Sequence, residues 1–349
     1  MPRPARRTLP PHSARGRLLP AFSHPAAFAS FYLPVYLHHV AAYLPAAVVT
    51  NEYFTQLNGL SSDWIIERTG IRERRKAAPG ENSNTMAVAA ALAALAAAPA
   101  FATEAVNLVV VGTYTPHDTI FTAAHAVQRA IGVPDIPVVT ISSACSSLLN
   151  ALEIVEGYFA LGKASRALVV VSEHNTAYNN EEDTIAGHLW GDGAAALLLS
   201  REPLSADDLL IRHIITGGAA PVGKANDAVT LKPVEKGIVM PHGRDVFQWA
   251  CTYMTRITQQ LLDQFGLRAD ELRYLIPHQA NLRISHNVVK QLGLPPERAV
   301  SNIERLGNTG CAGAAIGLAE VWDTLLGGDK IIVTVFGGGY SYGAMLVEV

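Results

Sequence analysis

The run Val138-Val139-Thr140-Ile141, then Ser142-Ser143-Ala144-Cys145-Ser146-Ser147, then Leu148-Leu149-Asn150-Ala151-Leu152, constrains this chain more than any other stretch. Four β-branched residues read as a buried strand, six small residues as a tight turn, and the apolar spacing that follows as a helix. Cys145 therefore sits at a strand-to-helix turn. The partial positive charge of a helix N-terminus favours thiolate there, the form a sulfur nucleophile needs. For this stretch alone, a small cysteine packed at a turn is the competing reading.

The same alternation continues along the chain. Strand-like runs at 33–37, 106–112, 166–172, 274–276 and 330–335 are separated by helical patterns at 85–98, 123–131, 246–265, 282–292 and 312–325. This order indicates an α/β chain with its sheets covered on both faces. Hydrophobic residues at 49% and charged residues at 16% suit such buried sheets and exclude a disordered or nucleic-acid-binding class. The net charge of −3 supplies no global basic field, so any anionic ligand needs a local patch. The strand at 168–172 leading to Gly191-Asp192-Gly193-Ala194 resembles that at 331–335 leading to Gly337-Gly338-Gly339, and the Cys145 turn parallels one at Asn308. We therefore expect two related halves, 34–205 carrying Cys145 and 206–349 carrying His278 and Asn308.

Residues 1–33 hold Arg3, Arg6, Arg7, Arg15 and Arg17, no acid and several prolines. Prolines break a targeting helix. This segment is expected to be a poorly ordered extension outside the fold. No apolar run reaches the roughly 18 residues of a membrane span. Cys145, Cys251 and Cys311 are too few for a disulfide framework or a thiolate metal site, which points to a reducing, cytoplasmic setting without a metal.

Between Trp64 and Arg75 lie Arg68, Arg72, Arg74 and Arg75, the dense basic cluster past residue 33. Guanidinium forks fit phosphate oxygens, and an indole or guanidinium plane stacks on a purine. A nucleotide-bearing thioester carrier such as coenzyme A uses both; a solvated basic face with Trp64 in the core is the alternative. His278, in Pro277-His278-Gln279-Ala280-Asn281, follows a strand, and Asn308 lies in Gly307-Asn308-Thr309-Gly310. Singly, these are a structural histidine and a turn asparagine, and the Gly337–Gly339 run is a bend that allows close backbone approach.

In combination they resemble the 3-oxoacyl-(acyl carrier protein) synthase III family, condensing enzymes of the thiolase fold, over residues 34 to 349. The motifs that carry the resemblance are Trp64-Ile65 through Thr69-Gly70-Ile71-Arg72-Glu73-Arg74, Ala144-Cys145, Gly191-Asp192-Gly193-Ala194, Pro277-His278-Gln279-Ala280-Asn281-Leu282-Arg283, Gly307-Asn308-Thr309 and Phe336-Gly337-Gly338-Gly339. The resemblance implies two five-stranded halves in αβαβα layers, usually as a homodimer. It implies that Cys145 accepts the acyl group and that His278 and Asn308 complete a triad. It places an oxyanion hole at the N–H groups of Cys145 and Gly338, where a Cβ on Gly338 is expected to crowd the approach. Trp64 and Arg68 would flank the adenine of coenzyme A, and Arg283 would help dock an acidic acyl carrier protein. Ile120, Phe121, Trp190 and Phe247 would shape the acyl pocket. Acyl-CoA and the carrier's phosphopantetheine are substrates, so no resident cofactor is expected.

Several positions depart from the family pattern. Ser147 stands where a glycine is expected, Gly310-Cys311-Ala312-Gly313 replaces a serine- and alanine-rich run, Ala177 stands where an arginine would hold the adenine, and Glu153 and Glu156 lie behind the nucleophile. These leave open a fatty-acid initiation enzyme, a specialised synthase joining two carrier-bound acyl chains (dialkylresorcinol type), or an acyltransferase of the same fold. A non-catalytic subunit would be expected to lack the cysteine or the histidine, and this chain keeps both.

Overall fold

A computed structural model describes residues 34–232 and 237–349. The expected extension at 1–33 lies outside the described residues. In chain order the first elements are β1 (Val35–Tyr43), β2 (Ala47–Thr50), α1 (Asn51–Asn58), α2 (Ser62–Thr69), β3 (Glu73–Lys76) and α3 (Ser83–Ala97). There follow β4 (Leu108–Gly112), α4 (Ala123–Ile131), β5 (Val138–Ile141), α5 (Ser147–Ala160), β6 (Arg166–His174), α6 (Asn175–Tyr178) and β7 (Asp192–Ser200). The remainder forms β8 (Leu209–Gly218), β9 (Thr230–Leu231), β10 (Ile238–Val239), α7 (Gly243–Phe265), β11 (Tyr274–Pro277) and α8 (Leu282–Leu292). It closes with α9 (Ile303–Leu306), α10 (Ala312–Val321), β12 (Lys330–Phe336) and β13 (Ser341–Glu348).

Nine strands pair in the order β11-β12-β13-β8-β1-β7-β6-β4-β5. Strand β4 is parallel to β5 and β6, whereas β6 meets β7, and β7 meets β1, antiparallel. The second half repeats this pattern: β11 is parallel to β12, then β12 with β13 and β13 with β8 are antiparallel. The halves join through a short pairing of Val35, Tyr36 and Leu37 with Ile211, Leu210 and Leu209. Near this seam His38 Nε2 lies 2.7 Å from Ser200 Oγ, and its Nδ1 lies 2.7 Å from Asp208 Oδ1. The expected five strands per half hold for the first half only. In the second, a single bridge between Leu275 and Ala299 stands where the fifth strand belongs. The prolines at 295 and 296 offer no N–H to a ladder, and the chain turns into α9 soon after.

The sheet has a period of two, and each parity finds its own layer of helices. Val109, Val111, Leu168, Val170, Ala194 and Ala196 pack with Met86, Ala87 and Ala90 of α3. Val110, Val169, Val171, Ala195 and Leu197 face the other way, onto Leu148, Leu149 and Leu152 of α5 and Ile316 of α10. Helices α5 and α10 also touch β8, β11 and β13 of the second half, whose outer face is covered by α7 with α8 against it. The layers are therefore helix, sheet, helix, sheet, helix, with α5 and α10 buried at the centre. Among the described residues no single helix is long and apolar enough to cross a membrane.

Two acids accompany α5 into this middle layer. The Thr216 hydroxyl of β8 donates to Glu153 Oε2 at 2.5 Å. Burial, and then the neighbouring Glu153, push the Glu156 carboxyl up to about 8. A carboxyl raised above its unfolded value of about 4.3 binds its proton in the folded state, so its stabilising contribution is complete below that value and lost as pH rises towards 8. Glu156→Gln should therefore gain stability over the wild type as pH goes from 5 to 8, read by urea unfolding at both values. An equal difference at the two pH values would show that Glu156 titrates normally.

Candidate active site

Strand β5 ends in a turn whose shape is set by backbone and hydroxyl contacts. Ala144 adopts φ of +49°, a left-handed conformation that a small residue tolerates best. The Ser147 hydroxyl accepts from the Ser143 N–H at 2.8 Å and donates to the Ala144 carbonyl at 2.7 Å. The serine that replaces the expected glycine thus staples the turn instead of perturbing it. Gly112 of β4 leaves it room, since a Cβ there would lie 2.9 Å from the Ser147 Cβ.

The end of β12 meets this turn from the other half. A Cβ on Gly337 would lie 2.6 Å from the Cys145 nitrogen and 3.1 Å from its Cβ, a backbone collision that nothing can relieve. At Gly338 the nearest atom would be 3.5 Å away, an ordinary contact. The crowding expected at Gly338 therefore belongs to Gly337. Gly337 is extended (φ −139°), so what it must provide is space, whereas Gly339 (φ +66°) serves the bend. The Ser341 hydroxyl, at the start of β13, donates to the Ser143 carbonyl at 2.8 Å and ties the two turns together. The Gly338 N–H acts on the Cys145 sulfur from this side and favours its anion.

His278 follows β11, with its N–H on the Thr334 carbonyl at 2.8 Å. Its Nδ1 is buried with no protein partner among the described residues, and burial holds the imidazole down to about 4, so it is neutral at physiological pH. Asn308 is fixed on all sides. Its N–H donates to the Leu189 carbonyl at 2.8 Å, and its carbonyl accepts from the Gly191 N–H at 3.1 Å and from Asn175 Nδ2 at 3.2 Å. Its Oδ1 accepts the Gly310 N–H at 2.9 Å, which leaves the amide NH2 as the outward donor. Cys145, His278, Asn308, Gly337 and Gly338 line one cavity of about 120 Å3, and Trp190 and Phe247 share its walls.

Electrostatics depart from the expected thiolate. Burial, then the Glu173 carboxylate, raise the Cys145 thiol to about 12, and the Gly338 N–H only partly opposes them. Helix α5 starts two residues beyond the sulfur, and the partial charge of its N-terminus opposes that rise. Glu173 is a buried acid to which sequence reasoning gives no role. It is the next-to-last residue of β6, is fully buried, and accepts hydrogen bonds from Thr115 Oγ1 at 2.5 Å and Cys311 Sγ at 2.8 Å, with burial raising it to about 7. The signal that could have found it is an acid interrupting a buried β-branched strand.

The rim residues are only partly as expected. Arg68 stacks on Trp64, its guanidinium carbon 4.4 Å from the ring centroid, so here the two form one cation–aromatic surface and not an open slot between them. Asn281 Nδ2 donates to the Arg68 carbonyl at 3.0 Å and joins α2 to the start of α8, where exposed Arg283 stands. Arg74 is not part of a surface cluster. It is buried and donates to the carbonyls of Val49 (3.1 Å) and His188 (2.7 Å) and to Asn51 Oδ1 (3.0 Å). Ile120 and Phe121 do not line the cavity; they are 87% and 45% exposed. They lie in the loop before α4, whose Thr122 accepts from Thr140 of β5 at 2.8 Å.

Comparison with known proteins agrees with this geometry. Residues 139–218 match the family model for 3-oxoacyl-[acyl-carrier-protein] synthase III, and residues 262–349 match that for its C-terminal part. The chain is 35% identical over 324 residues to a beta-ketoacyl-[acyl-carrier-protein] synthase III 2 of Deinococcus radiodurans, an alignment covering 88% of this chain and 93% of that relative. The crystal structure of 3-oxoacyl-[acyl-carrier-protein] synthase III from Aquifex aeolicus matches with a TM-score of 0.84 at 31% identity, over 90% of this chain and 100% of that one. The priming β-ketosynthase of the R1128 polyketide pathway matches with a TM-score of 0.81 at 28% identity, over 90% and 96% of the two chains. With the thiolase fold, a shared cavity for cysteine, histidine and asparagine, and this similarity along nearly the whole compact part, the chain belongs to the 3-oxoacyl-(acyl carrier protein) synthase III family and is a ketosynthase III-like condensing acyltransferase.

Proposed function

We propose that Cys145 carries the acyl group and that His278 and Asn308 stabilise the enolate that attacks it. The observation that supports this most is the one cavity onto which Cys145, His278, Asn308 and the Gly338 backbone converge. In the first half-reaction an acyl thioester and the Cys145 thiol exchange to give acyl-Cys145 and the free carrier thiol. Sulfur and imidazole both begin neutral, so the thiol proton passes to His278 as the S–C bond forms and on to the departing carrier thiolate. The N–H groups of Cys145 and Gly338 hold the tetrahedral oxyanion.

In the second half-reaction a malonyl-type thioester loses CO2 and leaves an enolate. The imidazole N–H and the outward amide of Asn308 donate to its oxygen. Its carbon attacks acyl-Cys145, the C–S bond breaks, and a proton restores the thiol as the 3-oxoacyl thioester leaves. A second oxoacyl thioester can take the malonyl place if it loses a proton instead of CO2. The need for an enolate oxygen to be stabilised favours condensation over simple acyl transfer, because simple transfer has no use for Asn308. The chemistry asks for no resident cofactor.

Carriers named in the relatives, acyl carrier protein above all, are the proposed partners here. Trp64, Arg68 and exposed Arg283 offer an aromatic plane and positive charge at one rim, which suits coenzyme A or an acidic carrier. We also propose a homodimer. Strand β5 is the outermost strand of the first half, and all four of its residues are only half-buried. Beside it the Ile120–Phe121 loop exposes two large apolar side chains.

Cys145→Ala should abolish the acyl adduct seen by intact-protein mass spectrometry with acyl-CoA; an adduct forming at the wild-type rate removes Cys145 from the mechanism. Because the imidazole loses its proton near 4 and the thiol near 12, loading should fall below pH 5 and stay flat from 6 to 9. A rise of about tenfold per pH unit across that range would instead mark a free thiolate. Ile120→Asp should shift sedimentation from dimer towards monomer, and an unchanged dimer would place the interface elsewhere.

A further inference from the structure

The Gly338 N–H lies in a run of three glycines, which by itself has little preference for one conformation. It shares a peptide plane with the Gly337 carbonyl, and because that plane is rigid and trans the two groups point opposite ways. Whatever holds the carbonyl therefore aims the N–H. The Tyr340 N–H does so, donating to the Gly337 carbonyl at 3.0 Å. The same bond polarises the peptide and strengthens its N–H as a donor.

Tyr340 makes this bond from a backbone conformation that its residue type avoids. Its φ is +56°, directly after Gly339 at +66°, in the left-handed region that is unfavourable for a bulky L-residue. Among the described residues the other non-glycine positions with positive φ are Ala102, Asp135 and Ala144, none of them aromatic. Three contacts keep Tyr340 there. Its carbonyl accepts the Ala219 N–H at 2.9 Å, and its fully buried ring lies with its centroid 5.0 Å from that of Phe336. Its hydroxyl donates to Asp245 Oδ1, in the first turn of α7. A phenylalanine would fill the same space, but only the hydroxyl reaches Asp245. Asp245 is built in as well. Its Oδ1 also accepts the Lys224 N–H at 2.8 Å. A Cβ on Gly223 would lie 2.5 Å from that oxygen and 2.3 Å from Trp249 Nε1, so the backbone approaches this closely only because Gly223 is bare. Val246 and Phe247, the next two residues of α7, line the cavity. One carboxylate thus ties a cavity wall to the glycine bend.

Resting on the reading of the Gly338 N–H as an oxyanion donor, we infer that Asp245 and Tyr340 are positioning residues for acyl transfer. The Asp245 carboxylate holds the Tyr340 hydroxyl, Tyr340 holds the Gly337 carbonyl, and the Gly338 N–H is thereby kept aimed at the reacting oxygen. Without the hydroxyl anchor Tyr340 relaxes out of its left-handed conformation, and the Gly337–Gly338 peptide turns with it.

The test compares the wild type with Tyr340→Phe, Asp245→Ala and the double variant. One readout is the rate of Cys145 acylation by acetyl-, butyryl- or octanoyl-CoA or the matching carrier-protein thioesters, whichever labels the wild type fastest. The other is the infrared carbonyl stretch of that adduct, made with carbon-13 at the carbonyl. Removing an oxyanion donor slows acyl transfer about 100- to 1,000-fold, so a donor that is only misaimed should cost about tenfold in rate with KM unchanged. Each single variant should show that loss and a carbonyl stretch at higher frequency, and the double variant should be no slower than Asp245→Ala. Tyr340→Phe leaves α7 untouched and Asp245→Ala leaves the buried ring in place, so either arm stands if the other variant fails to fold. A wild-type rate in Tyr340→Phe overturns the inference. So does a slower rate with an unmoved stretch, which marks a general loss of structure, and so do losses that multiply in the double variant. If no thioester labels Cys145, or the wild-type stretch is no lower than that of the same thioester in an apolar solvent, the oxyanion reading fails and takes this inference with it. A low wild-type stretch that both variants keep rejects only the assignment of Asp245 and Tyr340.

Discussion

Between Gly337 and Cys145, backbone from the two halves of the molecule comes so close that a methyl group on Gly337 would lie 2.6 Å from the Cys145 nitrogen. Everything around the cavity is arranged to permit this contact. Ala144 takes a left-handed conformation, Ser147 locks the turn through two hydrogen bonds, and Ser341 ties the turn at Gly337 to Ser143. The gain is an N–H from each half, on Cys145 and Gly338, beside one sulfur. A site assembled from two repeated halves can place donors on both sides of a reacting carbon, which a single strand-to-helix turn cannot do.

The ionisation states around the sulfur follow from burial. A thiol raised to about 12 and an imidazole lowered to about 4 are a neutral pair, and Glu173 adds negative potential that favours the thiol further. Such a pair keeps the cysteine unreactive towards oxidants and stray electrophiles until an acyl carbonyl sits against the oxyanion donors. A neutral imidazole is also what the proposed second half-reaction needs. An imidazolium beside an enolate would protonate it, whereas a neutral N–H stabilises the charge and lets the carbanion reach the thioester.

Much of this was legible in the sequence because the pattern of β-branched runs, small-residue turns and helical spacing has a direct geometric meaning. The nucleophile turn, the layered α/β arrangement and the repeated order of strands follow from 138–152 and from the two glycine-bearing strand ends. What was not legible depends on three-dimensional neighbours. Gly337 and Gly338 are alike on paper, and only the approach of Cys145 separates the one that needs space from the one that lends its N–H. Arg74 reads as one more cation in a basic cluster, yet three acceptors draw it into the core. Ile120 and Phe121 are expected in the acyl pocket, but the loop that carries them is held to β5, at the outer edge, and leaves them exposed. The helix N-terminus is legible in the sequence and favours the thiolate by under about 1 kcal/mol at most sites, but the Glu173 carboxylate and the burial that push the thiol up come from neighbours distant in sequence.

In the proposed mechanism the Cys145 and Gly338 N–H groups together receive the oxygen of the thioester carbonyl on Cys145. The most direct measurement is a crystal structure of the protein acylated on Cys145. The thioester oxygen should lie within about 3 Å of both nitrogens, with the His278 ring and the Asn308 amide open to the second substrate. A carbonyl oxygen turned away from Gly338, or an acyl group found on another residue, would contradict it.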